Sequence, residues 1–270
     1  MVTVVSKSHL DEMNMDNIEG QAIQVGLMPT QVPKGKGPLE IAFSFEAAKY
    51  LGGDFFDFIT FEDLPKLGLA IADVSGKGIG PSLFGITCKS MLQILAQKSK
   101  ETNVTMIELN DILYREKPHQ ELFSTMFYCI YDWDRMTLTY TSAGHNNMLL
   151  LRHDAVKVEY LGAKDPPLAM ISPFSYQKRE ISMSIGDWLL LYTDGITELR
   201  NPLGSFFELK GLEEFLVRNR RKGITEFKSD LMLELDHFRK GRLPEDDITF
   251  IAIKVGSERH PLEPLKSVFT

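Results

Sequence analysis

Between residues 39 and 47 the side chains alternate, with Ile41, Phe43 and Phe45 on one face and Ala42, Ser44 and Glu46 on the other. That period of two predicts a strand. Gly52-Gly53 interrupts the pattern, DFFDFITF (residues 54–61) resumes it, and a third apolar run (67–74) ends in the glycine-rich turn SGKGIG. The period then changes. Leu83, Ile86, Thr87, Ser90, Met91, Ile94 and Leu95 recur at helical spacing, which predicts a helix packed through that stripe. A second helix is expected over about 105–117, with Thr105 and Glu108 at capping-box spacing and Pro118 ending it.

From residue 122 the chain reads as strands for about seventy residues. FSTMFYCIY (123–131) is almost continuously apolar, as in a strand buried on both faces. DWDR reads as a hairpin turn into the alternation of Met136, Leu138 and Tyr140 with Thr137, Thr139 and Thr141. MLLLR, VKVEYL, SYQKREISM and WLLLYTDG follow. Helices are expected at about 209–221 and 225–240, the second with Phe227, Leu231, Leu235 and Phe238 on one face, and a last strand at 248–255. Ahead of residue 39, residues 13–28 mix polar and apolar positions without a clean stripe, and QVPKGKGP is turn-rich. The expected organisation is a helical and linker preface (1–38), one domain (39–256) and a peripheral tail (257–270). The order of strands and helices predicts an α+β fold, an α-β-β-α sandwich of two stacked, mainly antiparallel sheets flanked by helix pairs.

Composition narrows the function. With 43% apolar residues in 270, the chain can build a core without disulfides. Cys88 and Cys129 have neither disulfide-framework nor zinc spacing, which favours a reducing compartment. A net charge of −7 argues against a nucleic-acid binder or nuclease, which needs a basic groove. The basic run VRNRRKG falls at a helix C-terminus, where the helix dipole favours cations. No run approaches 18 consecutive apolar residues and no signal-peptide pattern opens the chain, so no transmembrane segment and a cytoplasmic location are expected.

Aspartates recur where apolar strands meet turns: Asp54 in GGDFFDF, Asp73 in IADVSGKG, Asp194 in LLLYTDGITE, and Asp246-Asp247 in PEDDITFIAI. Carboxylates converging at buried strand ends repel one another unless a cation neutralises them. Oxygen-only ligation suits Mg²⁺ or Mn²⁺ and not zinc. Four such carboxylates balance two divalent ions, which at about 4 Å apart share a bridging hydroxide and clamp a phosphoryl group. Gly52, Gly53, Gly76, Gly78 and Gly195 let the backbone approach closely. Each piece alone is an ordinary turn, and SGKG lacks the Walker pattern. Lys77, with Gly76 beside it, is a candidate contact for a substrate phosphate, against the plainer reading of a solvated loop lysine. Asp57 reads as a strand residue without a metal role, His145 as a buried structural histidine, Trp188 as core, and Trp133 as the cover of its hairpin edge.

GGDFFDF, ADVSGKGIG, TSAGHNNMLLL, GDWLLLYTDGITE and DDITFIAI, in this order, resemble the SpoIIE/RsbU branch of the PPM metal-dependent serine/threonine phosphatases, over residues 23–255. The resemblance implies the sandwich fold with two Mn²⁺ or Mg²⁺ ions at one end. It also implies hydrolysis of phosphoserine or phosphothreonine on a regulatory protein of the anti-sigma-factor-antagonist type. By the same resemblance Asp73 bridges the ions and the Val74 carbonyl is a backbone ligand. Asp54 serves the second ion directly or through water. Asp194 and Asp246 hold the first, with Asp247 as a near neighbour. A homodimer or an upstream sensor is a possible partner. Ser75 stands where the eukaryotic branch has a histidine, which leaves leaving-group protonation to a metal-bound water. Asn146-Asn147-Met148 replaces the usual Asn-Pro-Pro, and Gly80-Pro81-Ser82 the usual helix start, a change that leaves the helix intact because proline is tolerated in a first turn. The alternative is a catalytically inactive relative that binds a regulator. Retention of every repelling aspartate argues against it.

Overall fold

The alternating segment at residue 39 is a strand, β1 (Leu39–Glu46), in a computed structural model that describes residues 7–34, 36–62, 64–117 and 121–257. Helix α1 (Lys7–Leu27) precedes it and is longer than residues 13–28 suggested. After β1 come β2 (Phe55–Thr60), β3 (Lys66–Val74), α2 (Ile79–Lys98) and α3 (Thr102–Glu116). Then follow β4 (Ser124–Asp132), β5 (Thr137–Ala143), β6 (Met148–Leu151), β7 (Glu159–Leu161), β8 (Arg179–Ser182) and β9 (Trp188–Tyr192). The chain continues through α4 (Asp194–Thr197), α5 (Glu208–Asn219), α6 (Ile224–Arg239) and β10 (Ile248–Val255).

The strands form two five-stranded antiparallel sheets, β1-β10-β9-β6-β7 and β2-β3-β4-β5-β8. Helices α2 and α3 cover the second sheet, and α5 and α6 cover the first. The expected α-β-β-α sandwich is therefore observed. Continuous apolar runs arise because each sheet is buried on both sides. In β9, Leu189 and Leu191 point into the core between the sheets, while Trp188, Leu190 and Tyr192 join the layer under α5 and α6. In β10, Ile251, Ile253 and Val255 pair off the same way against Phe250 and Ala252. Trp188 is core, and Trp133 lies against Gly37 at the β4–β5 turn.

Some expectations are corrected. The stripe proposed for α2 is only in part its packed face: Leu95 is buried, and Ile86 and Met91 pack against the core. Leu83 and Ile94 are 64% and 62% exposed, whereas Phe84, Gly85, Cys88, Leu92, Leu95 and Ala96 are buried. Small residues share the inner face with Phe84, Leu92 and Leu95 where α2 comes close to the loop before β2: a Cβ on Gly85 would sit 3.1 Å from the Gly53 carbonyl oxygen. By length and composition alone α2 could cross a membrane; here it packs on β2 and β3. Helix α3 starts three residues before Thr105, which is buried and donates to the Ser99 carbonyl, so the capping box does not form. Pro118 and residues 258–270 lie outside the described residues. The segment from 152 to 178 holds only the three-residue β7, and α4 is a turn of helix that the apolar pattern did not announce. Cys88 and Cys129 are free and buried, their thiols pushed up by desolvation.

Candidate metal centre

Antiparallel pairing gathers the acids. β2 begins opposite the end of β3 (Phe55 faces Ala72), and β10 begins opposite the end of β9 (Phe250 faces Tyr192). The residues just before β2 and β10, Asp54 and Asp246-Asp247, therefore lie at the same end of the sandwich as Asp73 near the end of β3 and Asp194 just past β9. Asp54 is buried where the sheets meet. Its Oδ2 accepts hydrogen bonds from the Thr193 hydroxyl at 2.7 Å and the Thr249 hydroxyl at 2.6 Å, both from the other sheet's side.

Asp247 is turned inward and organises backbone. Its carboxylate accepts N–H groups from Ala48 (2.8 Å), Gly53 (2.7 Å) and Asp54 (3.2 Å). Glycine is required at two close approaches. A Cβ on Gly53 would sit 2.7 Å from the Val74 carbonyl oxygen, and one on Gly195 would run into the Asp247 carbonyl. The Val74 carbonyl thus points toward the loop that carries Asp54. Gly76 has φ +89°, which lets the chain turn from β3 toward α2.

The charges do not balance. Burial, then the carboxylates of Asp73 and Asp247, hold Asp54 well above the ordinary aspartate range, against the pull of the two threonine hydroxyls. Burial, then Asp194, Asp246 and Asp247, push Asp73 up to about 7, with a hydrogen bond to Asp54 acting the other way. Asp194 is raised by burial, then by Asp246 and Glu198, and lowered by Lys77. Lys77 is the cation among them: its Nζ lies 2.8 Å from Asp246 Oδ2 and also donates to the Glu245 carbonyl. All five sequence-predicted aspartates are together, and Lys77 reaches the cluster through Asp246. Among the described residues, no three carboxylate, imidazole or thiol side chains are drawn in closely enough to enclose an ion. The donor set nevertheless fits hard divalent cations: carboxylate and carbonyl oxygens only, in negative excess.

Several neighbours lay beyond the sequence reading. Thr193 and Thr249 fall inside the quoted motifs, but a threonine in a strand carries no signal of its own. The Ser75 hydroxyl donates to the Glu121 carbonyl (2.9 Å) and accepts from the Phe123 N–H (3.1 Å), so it pins the segment before β4. His145 ties the sheets together. Its Nδ1 lies 2.8 Å from the Thr125 hydroxyl on β4, and Nε2 3.2 Å from the Tyr192 carbonyl on β9. Burial drives its imidazole down to about 4, so it is neutral, donates from Nε2, and accepts the Thr125 proton at Nδ1. Asp57 faces α2, 3.1 Å from the Lys89 ammonium.

A family model described as Stage II sporulation protein E (SpoIIE) matches residues 65–256. Protein IcfG of Synechocystis sp. is 26% identical over 93% of this chain and 43% of its own length, so the chain spans less than half of that relative. The phosphoserine phosphatase RsbU of Bacillus subtilis is 29% identical over 86% of this chain and 68% of its own. The SiaA-PP2C domain of Pseudomonas aeruginosa superposes with a TM-score of 0.80 at 15% identity, covering 92% of this chain and 99% of that one. That likeness establishes the shared fold.

Proposed function

Because the chain belongs to the SpoIIE family of PPM-type phosphoprotein phosphatases, we propose that it removes phosphate from phosphoserine or phosphothreonine on a regulatory protein of the anti-sigma-factor-antagonist type. The observation that carries this reading is the uncompensated acid cluster, in which Asp73 is raised to about 7 by burial and by three neighbouring carboxylates. In this reading Asp73, the Val74 carbonyl, Asp54, Asp194 and Asp246 would hold a pair of Mn²⁺ or Mg²⁺ ions. Asp247, with three backbone N–H groups on its oxygens, anchors the loop rather than an ion. Bound there, the ions supply an activated water and positive charge for the phosphoryl oxygens.

The chain's own residues set the geometry. Thr193 and Thr249 orient the Asp54 carboxylate from the opposite sheet. His145 fixes the spacing between β4, beside Asp73, and β9, before Asp194. Lys77 and the Gly76 turn stand at the exposed rim, where an ammonium can swing from Asp246 to an incoming phosphate. Ser75 is engaged by backbone, so a solvent water is left to protonate the departing serine oxygen. Hydrolysis of p-nitrophenyl phosphate and of a phosphoserine peptide in Mn²⁺ tests the proposal. Asp194→Asn is expected to lower turnover by about a hundredfold or more. Equal rates in both proteins, or none in either, would overturn it.

A further inference from the structure

We infer that Gln24 is a positioning residue for Asp54, and that α1 joins the catalytic unit through this side chain. The inference rests on the phosphatase reading above and concerns a residue outside the matched segment 65–256. The Gln24 side-chain amide closes a two-point bond on the backbone of one residue: Nε2 donates to the Gly52 carbonyl at 2.8 Å, and Oε1 accepts the Gly52 N–H at 3.1 Å. On its other side Gly52 abuts Asp247, whose carboxylate a Cβ would strike. Asp247 in turn accepts the N–H groups of Gly53 and Asp54. Three successive residues are thus held from two directions, by α1 and by the start of β10, immediately before the Asp54 carboxylate passes between Thr193 and Thr249.

The way α1 docks argues that this bond is not incidental. Among the described side chains of α1 (residues 15–27), Gln24 alone is buried, at 4% exposure, while Met15, Ile18, Ile23, Val25 and Leu27 are all exposed. A helix seated for packing buries an apolar stripe; this one inserts an amide. A buried amide is unfavourable unless its polar atoms are satisfied, and both are satisfied by the loop of Asp54 alone. Residues that orient a metal ligand from behind influence metal affinity by about 10–100-fold, and Gln24 stands in that relation to Asp54.

The test uses the full chain with Gln24→Met, which keeps the volume and removes both hydrogen bonds, and Gln24→Ala. Mn²⁺ binding is measured by calorimetry, amide exchange over residues 48–56 by mass spectrometry, and folding by circular dichroism. The expected result is a Mn²⁺ dissociation constant raised about tenfold, faster exchange at 48–56, unchanged helix content, and kcat restored toward wild type at saturating Mn²⁺. Wild-type affinity and exchange in a folded Gln24→Met protein would overturn the inference, and if Gln24→Ala alone unfolds, Gln24→Met decides. A wild type that neither binds Mn²⁺ nor hydrolyses phosphoesters sinks the phosphatase reading instead, a failure visible without either variant.

Discussion

Strand β9 starts after one aspartate, which is buried, and ends before another, which is half-buried, and the two are treated in opposite ways. At its start Asp187, wholly buried, accepts the Arg152 guanidinium at 2.9 Å and the backbone N–H groups of Ser184 (2.9 Å) and His153 (3.0 Å). At its end Asp194 faces Asp246, Glu198 and Asp73, with Lys77 as the neighbouring cation. Strand β2 repeats the contrast within four residues. Asp57 has Lys89 at 3.1 Å, the Gln93 amide at 2.7 Å and the Phe58 N–H, whereas Asp54 has two neutral hydroxyls and more carboxylates. A buried carboxylate that brings its own counter-charge holds the fold together. One that is buried among its own kind needs a cation from outside, and the clustering of the second sort at one end is what separates a site from a core.

The sharpest way to break the comparison is to neutralise one acid of each kind. Asp73→Asn is expected to lower Mn²⁺-supported turnover by about a thousandfold or more, because the central carboxylate of the proposed metal site is lost. In metal-free buffer its melting temperature should equal or exceed that of the wild type, since a repelling charge has gone. Asp187→Ala should do the reverse. It removes the acceptor of two part-buried N–H groups and one of the three acceptors of Arg152, which keeps Glu159 and the Ser182 carbonyl, at about 2 kcal/mol in urea denaturation, while activity per folded molecule stays within about twofold. Should Asp73→Asn destabilise the chain as much as Asp187→Ala, the distinction between the two sets would fail.

His145 sharpens the comparison because it is the neutral tie between the sheets behind the acids. Its imidazole is lowered by burial from 6.5 to about 4, so between those values the unfolded chain binds a proton that the folded chain does not. Stability from this residue is complete above pH 6.5 and falls as the pH drops toward 4, by up to about 3 kcal/mol. The raised aspartates act oppositely, gaining stability on acidification, so the wild-type curve alone is ambiguous. The difference between wild type and His145→Gln isolates the imidazole, and it should shrink as the pH is lowered from 7 to 4. A constant difference across that range would show that His145 does not stay neutral in the fold.

Much of this is legible in the sequence. The layers followed from period-two runs, and the five aspartates from their repeated place at strand ends. What escaped has a physical reason in each case. The apolar stripe on α2 was rotated away from the buried face, which keeps Leu95 but takes Gly85, Cys88 and Ala96, residues that weigh little in a hydrophobic pattern, in place of Leu83 and Ile94. Thr193 and Thr249 serve Asp54 from 139 and 195 residues away, a relation that only the stacking of the sheets creates. Only the family resemblance set Asp246 apart from Asp247 in the acidic pair; in the fold one turns outward to Lys77 and the other inward to three backbone N–H groups. Gln24 sits in a helix with no apolar stripe, so nothing local marked it.

The smallest effect is expected at Asp57, and it probes the comparison from the satisfied side. Burial raises this carboxyl, and Lys89 pulls it back down, so desolvation and ion pairing oppose each other within one contact. Asp57→Asn removes the charge together with its desolvation, and the amide oxygen can still accept the Phe58 N–H. Lys89, 15% exposed along its side chain, can extend its ammonium to water. The net loss should be about 1 kcal/mol in urea denaturation, with Mn²⁺ affinity and turnover unchanged, because the bond joins β2 to α2 rather than to the acid cluster. A tenfold fall in Mn²⁺ affinity in this variant would mean that the second aspartate of GGDFFDF serves the site as well as the fold, and the line drawn between Asp54 and Asp57 would have to be moved.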